Sequence, residues 1–207
     1  MNGNETGGKT ERGILNIPEI DSEKGIAMTG GKPEFYRQVL SLFCKDAENR
    51  LPIIKNTEDL HLFATHMHAL KGASASIGAG GMSARAGELE KAGKEGDTAF
   101  INGNQGTFLT DLSLLISNIR AALNSQEKEN ANNTFLNLIK DLKKALEAEN
   151  IGSIEKILNE LGKENIRQNL ESSTIESLDK ISDDVLMTEY ESAGTTVQEI
   201  IDFFIKR

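Results

Sequence analysis

The chain has 207 residues, 38% of them apolar and 5% aromatic, with no Trp and only three Pro. Its net charge of −9 repels a phosphate backbone and argues against nucleic-acid binding. No apolar run reaches the ~18 residues that span a bilayer, and the single cysteine, Cys44, excludes an internal disulfide or a Cys-rich zinc site.

Residues 1–16 are polar and glycine-rich, with no apolar core of a signal peptide, and read as a flexible tail. The chain reads as cytoplasmic, with no membrane contact. Charged, helix-favouring segments follow, separated by short Gly, Asn or Ser breaks. No alternating apolar–polar pattern persists, so the fold class is all-α. A short helix spans about 21–28 and stops at Thr29-Gly30-Gly31. The next starts at Pro33, a residue suited to the first helical position, and carries Phe35, Val39, Leu42 and Phe43 as its apolar stripe. A third begins with Thr57 as N-cap and runs to about Ile77. A fourth covers about 82–92, with Met82, Ala86 and Leu89 on one face. Asp97 caps a fifth segment, which Gly103 and Gly106 interrupt before the stripe Leu109, Leu112, Leu115, Ile116, Ile119 and Leu123.

The segment 125–133, SQEKENANN, reads as a linker. The charge shifts there, from a net −2 over residues 1–124 to −7 over 125–207. Beyond it, Phe135, Leu138, Leu142 and Leu146 mark one helix, and Ile154, Ile157, Leu158 and Leu161 another that ends at Gly162. Ser173 and Glu176 form a capping-box pattern ahead of Leu178, Ile181 and Val185. Val197, Ile200, Ile201 and Phe204 mark the last helix. The expected organisation is a flexible tail (1–16), a helical bundle (17–124), a linker (125–133) and a second small helical bundle (134–207) whose role is unassigned.

The informative stretch is Thr65-His66-Met67-His68-Ala69-Leu70-Lys71-Gly72-Ala73-Ser74-Ala75. At about 100° per residue, Phe63, Met67, Leu70, Ser74 and Ile77 form the buried stripe, and His68 falls well away from it. Residues three and four positions away share a helix surface. Around His68 these are Ala64, Thr65, Lys71 and Gly72, with Ala75 one step further, and all but Lys71 are small. Small neighbours leave the imidazole open to another protein's active site. Gly72 in a helix interior costs about 1 kcal/mol relative to Ala, and close approach by a partner explains that cost. Lys71 can reach an anion attached to His68. At an unperturbed pKa of about 6.5, much of a histidine is a free nucleophile at neutral pH. The pattern describes a histidine that accepts a phosphoryl group, with a cation in reserve. His66 and His68 point about 200° apart on a helix, and His68 is the favoured acceptor.

The segment HALKG (68–72) resembles the H-x-L-K-G signature of histidine-containing phosphotransfer (HPt) domains. Residues 17–47 are similar to that family's first two helices, and 74–97 to the end of its active helix and the helix after it. The stretch 180–193 is similar to the helical tail of some bacterial hybrid sensor histidine kinases. The resemblance implies a four-helix bundle with His68 as phosphoacceptor and Lys71 as phosphate-stabilising cation. It implies partner docking over Ala64, Thr65, Gly72 and Ala75. The implied partners are response-regulator receiver domains, with a sensor histidine kinase in the same system. No cofactor is expected on this chain, since the Mg²⁺ belongs to the receiver. Thr65-His66 departs from the alanine-rich approach usual before the active histidine.

Three other readings compete. A helical interaction module with an unused histidine would explain the acidic C-terminal part. A metal enzyme finds no His pair at i, i+4 spacing and no H-E-x-x-H. The run Gly78-Ala79-Gly80-Gly81 follows a helix and lacks the Lys of a phosphate loop, so it reads as a helix-ending turn. No nucleotide-binding motif is visible, so the chain is expected to carry phosphoryl groups without hydrolysing ATP.

Overall fold

Straight-chain and small residues dominate between the breaks, and the chain answers with helix throughout. The computed structural model describes residues 14–206. Among them are the helices α1 (Ser22–Met28), α2 (Pro33–Asn56), α3 (Leu60–Ser76), α4 (Gly80–Glu95), α5 (Thr98–Glu147), α6 (Ile151–Leu161), α7 (Glu164–Arg167), α8 (Ser172–Leu186) and α9 (Tyr190–Ile205), and no strand. No helix of the described residues is long and apolar enough to cross a membrane. The chain divides into two compact units between Ser125 and Gln126, each with its own apolar core.

In the first unit, α1 to α4 and the first part of α5 enclose a core that includes Tyr36, Leu40, Phe63, Met67, Leu70, Leu89, Phe108 and Leu112. The Tyr36 hydroxyl donates to the carbonyl of Ile77 at 2.8 Å, which fixes α2 against the end of α3. Gly78 takes a φ of +83°, and a Cβ there would sit 2.1 Å from the Asp21 carbonyl oxygen. Only glycine allows the α3–α4 turn to pass this close to the start of α1. The expected glycine-rich turn is thus confined to Gly78 and Ala79, while Gly80 and Gly81 already belong to α4.

The elements differ from the expected ones in particular ways. Leu15 is buried and its carbonyl accepts from Ser22 Oγ, so the tail does not extend to residue 16; residues 1–13 lie outside the described chain. On α2, Phe35 and Leu42 are exposed, and the buried face is Tyr36, Leu40, Phe43, Ala47 and Ile54. That face repeats at i, i+4, i+7 and i+11, and it competed with an apolar stripe of similar strength. Thr57 is the C-cap of α2, whereas Asp59 caps α3 by accepting from the backbone N–H groups of His61 and Leu62. Gly103 and Gly106 do not interrupt α5, because the buried Ile101 and Phe108 on either side hold the helix to the core.

The second unit packs the latter part of α5 with α6, α8 and α9 around Phe135, Ile139, Leu142, Ile154, Ile181 and Val197. The segment 125–133 is helical rather than an irregular linker. Its Gln, Glu, Lys and Ala residues favour helix enough to carry the intervening asparagines. Glu171, not Ser173, is the N-cap of α8; Ser173 lies inside the helix, and its carbonyl accepts from Ser177 Oγ.

Candidate functional site

The buried stripe of α3 is Phe63, Met67, Leu70, Ser74 and Ile77, none more than 2% exposed. It orients the opposite face of the helix outward, and the side chain of His68 is 72% exposed. The ring still has a fixed partner. His68 Nδ1 lies 3.0 Å from Glu90 Oε1 on α4. Glu90 follows Ala86 by one turn on the core-facing side of α4, and its side chain is only 6% exposed. Lys94 Nζ approaches Glu90 Oε1 at 2.5 Å and Lys71 Nζ approaches Oε2 at 3.4 Å.

This carboxyl is held down to about 2, first by the hydrogen bond from Lys94 and then, against the opposing effect of burial, by those from His68 and Lys71. Glu90 is therefore an anion at neutral pH and can only accept. The His68 nitrogen facing it must donate, so the proton of the neutral ring resides on Nδ1. The lone pair is left on Nε2, on the exposed side of the ring. A nucleophilic nitrogen is thus aimed at solvent by a carboxylate beneath it.

Lys71 is half exposed, and its backbone carbonyl accepts from Ser83 Oγ at 2.9 Å, which ties α3 to α4 beside the site. Its aliphatic stem crosses Gly87, where a Cβ would lie 3.5 Å from Lys71 Cδ. Gly72 and Thr65 are exposed and Ala75 is half-buried. A Cβ at Gly72 would meet nothing within 4 Å, so nothing in the bundle itself demands glycine there. Ala64 departs from its expected place on a docking face. It is 3% exposed, because α4 approaches that side of α3 through Gly93, whose Cβ would lie 3.1 Å from the Ala64 methyl.

His66 is half-buried and points toward α2. Its Nδ1 lies 3.0 Å from Arg50 Nη1, and Arg50 Nε donates to Asp46 at 2.7 Å. A guanidinium only donates, so Nδ1 accepts and its lone pair is already used. Burial, reinforced by the Arg50 charge, pushes His66 down and keeps it neutral. The Cys44 thiol is buried and pushed up to about 11, mainly by desolvation, which leaves it unreactive at neutral pH. Among the described residues no group of three or more His, Cys, Asp or Glu could hold a metal ion.

Glu90, Lys94 and Gly87 are the parts of the site that the sequence reading missed. Glu90 left a signal: it sits one turn beyond Ala86 on an apolar face, and a carboxylate on the core side of a helix requires a partner.

Residues 38–122 match the family model of the Hpt domain. This segment, within the first unit, is an Hpt domain, and such domains are histidine phosphocarriers of two-component phosphorelays. Neither the curated proteins nor the solved structures contain a significant match to the chain.

Proposed function

We propose that His68 is the phosphoacceptor, taking a phosphoryl group from an aspartyl phosphate on a receiver domain and passing it to a second receiver. The observation that carries this reading is the pairing of an exposed Nε2 with an Nδ1 anchored on buried, ionised Glu90. Such a ring needs no base to activate it, because the nucleophilic lone pair is already present and pointed outward. Lys71 and Lys94 gather two ammonium groups on the carboxylate that holds the ring, and charge compensation plus positioning is most of what phosphoryl transfer asks of a protein. The Mg²⁺ and the acidic pocket are contributed by the receiver. A sensor histidine kinase upstream supplies the phosphoryl group from ATP. Thr65, Gly72 and Ala75 form the part of the surface that the receiver approaches.

The test is incubation with a receiver domain carrying a labelled phosphoryl group. Wild type and His66→Gln acquire acid-labile, alkali-stable label, and His68→Gln acquires none. Label retained in His68→Gln moves the acceptor elsewhere. No label from any receiver in a broad panel favours a helical interaction module with an idle histidine.

A further inference from the structure

We infer that Glu90 keeps the proton on His68 Nδ1 while the ring carries a phosphoryl group, so that transfer proceeds in either direction without a proton moving. The inference rests on the phosphocarrier reading above and concerns the chemical state of the same site after it is loaded.

Phosphorylation at Nε2 leaves Nδ1 as the ring's only other nitrogen. Without its proton, Nδ1 would direct a lone pair at Glu90 Oε1 from 3.0 Å. That contact sets two electron pairs against each other beside a carboxylate that stays ionised far below neutral pH. With the proton in place the contact is a charge-assisted hydrogen bond and the ring is a cation. The charged group facing the ring is Glu90 from α4, and the ammonium groups of Lys71 from α3 and Lys94 from α4 pair with that same carboxylate. A cationic ring and two ammonium groups balance a doubly charged phosphoryl group and one carboxylate, leaving the loaded site neutral. Loss of the Nδ1 proton would leave a net negative charge around an exposed phosphoryl group.

The step balances without an added acid or base. On loading, the Nε2 lone pair forms the N–P bond, the aspartyl O–P bond breaks, and its electron pair returns to the aspartate as carboxylate. On unloading, a carboxylate oxygen forms the O–P bond and the N–P pair returns to Nε2. The leaving group is then a neutral imidazole still protonated on Nδ1. A ring bare at Nδ1 would instead have to leave as imidazolate, a far poorer leaving group, or wait for a proton from water.

The experiment uses the full chain with ¹⁵N in its histidine rings, phosphorylated by potassium phosphoramidate and followed by ¹⁵N NMR between about pH 6 and 9, the range in which imidazoles titrate. The phosphorylated His68 ring of the wild type is expected to keep its Nδ1 proton to a pH at least about one unit higher than that of Glu90→Gln, the size of effect an adjacent opposite charge produces. The same chain phosphorylated and then unfolded in urea is expected to behave like Glu90→Gln, which keeps the comparison available if the variant folds poorly. A wild-type ring that loses its proton at the same pH as the unfolded chain overturns the inference and leaves His68 as phosphoacceptor. Label acquired by His68→Gln from a phosphorylated receiver overturns the phosphocarrier reading and the inference together.

Discussion

Three side chains meet on one carboxylate, and the acid response of the bundle should report it. Glu90 is depressed from 4.5 to about 2 in the folded protein. A group whose folded value is lowered stabilises the fold above its unfolded value and loses that contribution as the pH falls through the folded one. The stability gap between wild type and Glu90→Gln, read as the difference in urea midpoint, should therefore be open at neutral pH. It should close progressively as the pH falls from 4.5 to about 2. A gap independent of pH would mean the carboxylate is not ionised in its pocket. Lys71→Ala should slow phosphoryl transfer from a labelled receiver by roughly 10-fold or more, as expected for loss of one cation near the developing charge. It should leave the thermal midpoint within a few degrees of wild type, since the lysine head is half exposed. At this scale the sequence exposed His68, Lys71 and Gly72 directly, because their spacing on one helix is enough to group them. Glu90 and Lys94 lie on another helix, and no spacing rule within α3 reaches them.

The two glycines near the site oppose each other in what a methyl group would do. At Gly72 a Cβ meets open space, so Gly72→Ala should stabilise the protein by about 1 kcal/mol through helix propensity. At Gly93 a Cβ would lie 3.1 Å from both the Ala64 methyl and Phe63 Cδ1, so Gly93→Ala should destabilise by about 1–3 kcal/mol through overpacking of α3 against α4. Thermal melts of both variants check the pair, and equal shifts of the same sign would show that the helix spacing is wrong. Receiver docking separates the helix's own needs from the partner's: Gly72→Glu should abolish binding while the far-ultraviolet spectrum stays helical. The stripe of α3 was legible because its spacing of 4, 3, 4, 3 admits one face. That of α2 was misread because Phe35, Val39 and Leu42 lie at helical spacing too, and only the position of the neighbouring helices decides which face is covered. Caps were the other weakness. Thr57 has the right chemistry for α3, but α2 runs on to Asn56 and claims Thr57 as its end.

The two apolar cores contain no common residue, and His68, Lys71, Glu90 and Lys94 all lie in the first unit. A chain ending at Ser125 should therefore fold and accept label from a phosphorylated receiver at the rate of the full protein, as judged by circular dichroism and autoradiography. A fragment that folds but fails to label would assign the second unit a part in the transfer. The all-helical class and the change of character near residue 125 were visible in composition and charge, which are averages over many side chains. The continuity of α5 through 125–133 was not, because a polar helix and a polar coil share the same amino acids. Gly87 makes a different kind of demand on the whole. Its missing side chain is the bed on which the Lys71 stem rests. An innocuous-looking branched aliphatic at that spot would lift the lysine away from the imidazole while leaving the stretch HALKG untouched. Two chains with identical motifs could then differ in signalling competence, and the cause would be a residue with no chemistry of its own.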